Sequence, residues 1–159
     1  MSRKYLYTLA ALGAAAVVVL GYQGGARAPR SEKEDKNAAA VRAVLEAQAA
    51  AWNRGDVAGY MEGYAKEETT TFISGDTITR GWQTVLERYK SRYDTREKMG
   101  TLAFTELDLK PLSEFYFMAT GRWQLTLSDG STPHGRFTLI LRRTNAGWRI
   151  VHDHTSSAS

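Results

Sequence analysis

Cysteine is absent from the 159-residue chain, which excludes a disulfide framework, cysteine-ligated zinc, a thiol nucleophile and a lipidated N-terminal cysteine. The same absence leaves the redox compartment unread. Acidic residues are absent before Pro29, where Arg3, Lys4 and Arg27 stand alone. Setting those three aside lowers the 21 Lys and Arg to 18 against 17 Asp and Glu, so the net charge falls from +4 to +1. The basic balance therefore belongs to the N-terminus and gives little support to nucleic-acid binding. Internal repeats are absent as well, and the length leaves no room for two enzymatic domains, so one core is expected. A composition of 43% hydrophobic and 11% aromatic residues argues against disorder over most of the chain.

Residues 5 to 26 carry no charge, follow Arg3 and Lys4, and contain the apolar run Leu6 to Leu20. This pattern reads as an export signal. Ala26-Arg27-Ala28 offers a small-x-small cleavage site, with Pro29 as an unfavourable first mature residue. Cleaved and uncleaved forms both stay open: residues 1–28 are a signal peptide or an N-terminal membrane anchor. Uncleaved, residues 5–22 approach the shortest helix that spans ~30 Å of hydrocarbon, with the positive end held in the cytoplasm. Either way the domain is expected to be exported, periplasmic or extracellular, and any membrane contact to run through this segment. Residues 29–37, of mixed charge and without an apolar period, read as a solvated linker.

The domain is expected over 38–156. Asn37 can cap a helix whose stripe is Val41, Val44, Leu45, Gln48 and Trp52, ending before Gly55. Asp56 caps a second, shorter helix with Val57, Tyr60, Met61 and Tyr64 on one face. Thr69 to Arg80 reads as a short hairpin around Ser74-Gly75-Asp76. The helical period returns with Trp82, Val85, Leu86, Tyr89 and Tyr93, and after Gly100 four extended segments follow, near 101–110, 115–127, 135–143 and 148–155. In the longest, Phe115, Phe117, Ala119, Gly121, Trp123, Leu125 and Leu127 share one face, predicted to be buried. Helices first and a meander afterwards define an α+β domain with helices on one face of a curved antiparallel sheet.

That order, together with Trp52-Asn53-Arg54-Gly55-Asp56 between the first two helices, Arg80-Gly81-Trp82 opening the third and Gly135 to Leu139 in the penultimate strand, resembles the cone-shaped domain of nuclear transport factor 2 and ketosteroid isomerase. The final stretch Gly147 to Ser156 is similar to the ending of SnoaL-like proteins. The resemblance implies a nuclear transport factor 2-like fold, three N-terminal helices on a strongly curved sheet. It does not by itself imply a function, because the cone carries isomerases, hydratases, cyclases, ligand-binding modules and assembly domains. The ketosteroid isomerases use an aspartate base with a tyrosine and a protonated carboxylic acid. No pair of carboxylates stands among the apolar strand positions of this chain, so that catalytic set is not carried over.

His152 and His154 stand two apart on an extended segment and are expected on one face, continuing the wall begun by Trp148 and Ile150. A third metal ligand is hard to find, since His134 is the remaining histidine, so neither metal nor cofactor is expected. Asp153 is expected on the opposite face, with Arg122 as its candidate partner, and a β-bulge before His152 would exchange the two faces. Tyr60, Tyr64, Phe72, Trp82, Tyr89, Trp123 and Phe137 fall on core-facing positions, more aromatics than packing requires, and complete the candidate pocket. The functional expectation is an exported domain that binds a small, partly apolar ligand in its cone and assembles as a homodimer; the alternative is a cofactor-free acid–base enzyme of isomerase, cyclase or hydratase type.

Overall fold

The computed structural model describes residues 31–158. The segment read as a signal peptide or anchor lies outside them. Within them no helix is long and apolar enough to cross a membrane.

The first helix, α1 (Glu32–Asn53), starts before the expected Asn37 cap. Ser31 caps it: its hydroxyl accepts from the Glu34 amide, and the Glu34 carboxylate accepts from the Ser31 amide at 2.9 Å. This reciprocal box was available in the sequence as Ser31 and Glu34, and it turns the latter part of the expected linker into helix. Ala38, Val41, Leu45, Gln48 and Trp52 form the buried stripe. At its end the Asn53 side chain donates to Leu102 O at 3.0 Å and accepts from Leu102 N at 2.7 Å. One amide side chain thus ties the helix terminus to the first long strand. The short α2 (Val57–Met61) is capped by Asp56, whose Oδ1 accepts from Gly59 N at 2.7 Å. Beyond the hairpin come α3 (Trp82–Arg92) and the single turn α4 (Arg96–Met99), the latter unforeseen.

Six strands form one sheet: β1 (Thr71–Ser74), β2 (Thr77–Arg80), β3 (Thr101–Pro111), β4 (Tyr116–Thr126), β5 (His134–Thr144) and β6 (Gly147–Thr155), in the order β2-β1-β6-β5-β4-β3. All neighbours are antiparallel except β1 and β6, which pair in parallel and so join the small hairpin to the meander. The expected buried face of the long strand is the concave one. Phe117, Ala119, Gly121 and Leu125 are buried there, while Phe115, just before the strand, is exposed.

Two irregularities interrupt the ladder. In β3, Thr105 pairs with Arg122 and Asp108 with Thr120, so Glu106 and Leu107 face the single residue Gly121; Glu106 adopts a left-handed φ of 53°. In β6, Ile150 pairs with Leu141 and His152 with Ile140, leaving Val151 without an opposite number. Extra residues of this kind bend a strand and strengthen its twist. The sheet folds around the helices as a cone, as expected for an α+β fold of the nuclear transport factor 2 type.

Gly121 stands opposite the extra residue of β3. A Cβ there would meet Phe137 Cζ at 2.6 Å and Leu107 Cδ2 at 2.9 Å. Gly121→Ala is therefore expected to destabilise the domain by about 1–3 kcal/mol through overpacking, read as a lower urea midpoint. A change within about 0.5 kcal/mol would show that the bend has slack.

Candidate functional site

The cone encloses a cavity of about 120 Å³ between α1, α2, α3 and the concave face of the sheet. Its fully covered end is lined by Asp153, Tyr64, Tyr60 and Gln48, its walls by Trp52, Phe72, Phe137 and Leu139, and its open end by Arg88, Arg92, Ser74, Thr155 and Ser157. Apolar walls with a few polar groups at either end are the usual architecture of a small-molecule site.

Asp153 defines the covered end. It is 4% exposed, and its Oδ2 accepts a hydrogen bond from the Tyr64 hydroxyl at 2.6 Å. Its Oδ1 is buried and has no hydrogen-bond partner among the described residues. Removing a carboxylate from water disfavours its charged form, and burial raises the Asp153 carboxyl to about 7 against the opposing pull of the Tyr64 bond. Burial likewise raises the phenols of Tyr60, Tyr64 and Tyr89, with the Asp153 charge acting in the same direction, so all three stay protonated.

The scaffold explains the pairing. Ala65 N donates to Ile150 O at 2.8 Å, and Ile150 N donates to Gly63 O at 2.9 Å. This two-bond bridge fixes Tyr64 beside β6 and brings its hydroxyl over the strand position three residues further on. Gln48 reaches from α1 to donate to Tyr60 O at 3.1 Å. Tyr60 packs edge-on against Trp52 with centroids 5.1 Å apart, and Tyr89 lies 5.3 Å from Tyr60 and 5.6 Å from Phe72.

Of the side chains singled out in the sequence, Asp153, Tyr60, Tyr64, Phe72, Tyr89, Trp123 and Phe137 line the cavity. Four do not, and the face assignment on the last strand is corrected. His152 and His154 lie on the outer face, half-buried and exposed respectively, opposite Ile140 and Thr138. The cause is Val151: the bulge spends two successive residues on the outer face, so alternation resumes with Asp153 inward. Arg122 is corrected with them. It sits on the outer face of β4, opposite Thr105 and Arg136, so the partner of Asp153 is Tyr64 instead. Trp82 packs away from the cavity, its indole N–H donating to Met61 O at 2.9 Å under Lys66.

Gln48, Arg88 and Arg92 were missed. Gln48 carried a signal, because a polar residue on the apolar stripe of α1 points into the core. Arg88 and Arg92 each precede an aromatic of the α3 stripe, off the apolar positions that the helical period marks. Among the described residues no three His, Asp or Glu side chains converge as metal ligands.

A SnoaL-like domain matches residues 41–159 of the chain. A nuclear transport factor 2-like protein from Shewanella oneidensis, described as of unknown function, is similar at 38% identity and a TM-score of 0.71, covering 74% of this chain and 97% of its own. A nuclear transport factor 2-like superfamily protein from Salmonella enterica has 20% identity, a TM-score of 0.63, and coverage of 79% and 94%. A ketosteroid isomerase-like protein from Erwinia carotovora has 19% identity, a TM-score of 0.63, and coverage of 79% and 98%. The last two likenesses concern the fold alone. No curated protein matches.

The raised carboxyl has a consequence for stability. Unfolded, Asp153 loses its proton near 3.9; folded, it keeps the proton up to about 7. Between those values the native state binds more protons than the unfolded one, so stability contributed by this group is full below about 4 and is lost as pH rises to about 7. The slope is at most about 1.4 kcal/mol per pH unit. Asp153→Asn removes it. Urea unfolding at steps across this window is expected to show the wild type weakening relative to the variant, and parallel curves would mean that the carboxyl is ionised throughout.

Proposed function

We propose, from the premise that this chain belongs to the SnoaL-like family, that its cone holds a small, partly apolar ligand bearing a hydrogen-bonding oxygen. The observation that carries this reading is Asp153 Oδ1. A buried polar atom without a partner costs about 1–3 kcal/mol, and the residue that carries this one lines an aromatic cavity. A ligand hydroxyl or carbonyl placed there completes the hydrogen bonding of the carboxyl while its body replaces the apolar contacts that the cavity lacks. The volume of about 120 Å³ suits a single ring.

A second reading is cofactor-free acid–base catalysis, favoured by the position of the Asp153 carboxyl at about 7. A group that titrates near neutrality can both accept and return a proton, and the Tyr64 hydroxyl, which gives its one proton to Oδ2, holds the carboxyl in place for that exchange. Isomerase, cyclase and hydratase chemistry all need that combination.

Two further parts of the proposal rest on other observations. The outer face of the sheet carries the half-buried Met118, Ile140 and Val151, which supports assembly of a homodimer through that face. The uncharged stretch after Arg3 and Lys4 supports export. Native mass spectrometry of the purified protein reads the oligomer and any co-purifying molecule together.

The ligand reading is tested with p-cresol against toluene, which differ by one hydroxyl. The wild type is expected to bind p-cresol at least tenfold more tightly, by calorimetry or by quenching of tryptophan fluorescence, and Asp153→Leu to lose that preference while still binding toluene. Failure of both compounds to bind at millimolar concentration would sink the proposal.

A further inference from the structure

The open end of the cavity carries charge that the covered end does not explain. Arg88 and Arg92 are four residues apart on α3, so they leave the same helix face, and both line the cavity. The half-buried Arg88 guanidinium lies 5.4 Å from the Phe72 ring centroid and donates one hydrogen bond, to Thr79 Oγ1 at 2.9 Å. The exposed Arg92 guanidinium lies 5.8 Å from the centroid of Tyr93.

Neither is matched by an acid among the described residues. The ion pairs among the described residues all involve other cations, and the acid of the cavity, Asp153, is buried with its Oδ2 on the Tyr64 hydroxyl. An unpaired surface arginine is ordinary. Two arginines that line one cavity, each within cation–π reach of an aromatic ring of that cavity, place positive charge and N–H donors together where an acceptor could meet both. Ser74 and Thr155, on the paired strands β1 and β6, add hydroxyls to the same rim.

The geometry points to a carboxylate-bearing ligand. Resting on the ligand reading above, we infer that this site takes small ring-containing acids, with the carboxylate at Arg88 and Arg92 and an oxygen substituent of the ring at Asp153. A carboxylate matches the fork of a guanidinium in two parallel hydrogen bonds. An aromatic or alicyclic ring matches the walls between. A cavity closed by apolar side chains at both ends would give no such polarity, and an acid at the rim would repel this ligand.

The test uses 4-hydroxybenzoate and 3-(4-hydroxyphenyl)propionate, each against its methyl ester, titrated into the full-length protein by calorimetry at low ionic strength. The two lengths allow for the span between the ends of the cavity. At least one acid is expected to bind about fivefold or more tightly than its ester, and the preference to shrink as salt is raised. The double variant Arg88→Gln, Arg92→Gln is expected to lose the preference while still binding the ester, which also shows that its cavity is folded. Esters that bind as well as both acids would overturn the inference and leave the ligand reading standing. An acid preference that survives in the double variant would overturn it too, by placing the charge-reading group elsewhere. No binding of acid or ester would remove both.

Discussion

A β-strand must send successive side chains to opposite faces, and in β6 that rule is broken once, at Val151. The chemistry of the cone depends on this extra residue. Before it, Trp148 and Ile150 point inward as core; after it, Asp153 and Thr155 do, so a carboxyl enters an aromatic cavity and the imidazoles of His152 and His154 leave it. A regular strand would have lined the same wall with histidines. The bulge in β3 acts on shape rather than on identity, bending the ladder at Gly121 so that Phe104 and Phe137 close against each other with centroids 5.4 Å apart.

A buried carboxyl persists only because other elements hold it. The Tyr64 hydroxyl is delivered by the bridge between Ile150 and the residues flanking Tyr64, and that segment is itself anchored by Gln48 and by Trp82 through the carbonyls of Tyr60 and Met61. Sequence neighbours therefore matter less than this chain of backbone acceptors: α1 fixes α2, α2 fixes Tyr64, and Tyr64 fixes the orientation of Asp153. One hydrogen bond to one oxygen is still less than a carboxyl can accept. The energetic balance is settled by protonation, since a neutral acid costs far less to bury than an anion.

Much of the fold was legible because its elements are long and strictly periodic. The stripe from Val41 to Trp52 and the alternation from Phe117 to Leu125 each have one reading, and both are observed. The N-terminus of α1 was misplaced because Arg30 to Lys36 are charged and show no apolar face, although the Ser31–Glu34 box was present. The cavity aromatics were legible for the same reason as the core. The identity of its polar end was not. Period-two counting loses its phase at a bulge, and nothing in the residues from Trp148 to His154 announces that Val151 is skipped. Arg122 was attractive as the nearest cation on a polar strand face, whereas the true partner is a tyrosine from a different layer.

The unmade hydrogen bond at Asp153 Oδ1 and the unmatched arginines of the open end belong to one argument. Both are groups whose interactions the described residues leave incomplete, and both belong to residues that line one cavity. A domain selected for stability alone would improve by replacing Asp153 with an apolar residue of similar volume, because an unsatisfied buried group is worse than none. On the proposed ligand reading, binding rather than folding sets the requirement for this carboxyl. Anything that binds the native state alone raises its stability, by an amount that grows with the ratio of free ligand to Kd, so the proposed ligand would offset the cost of the unpartnered Oδ1.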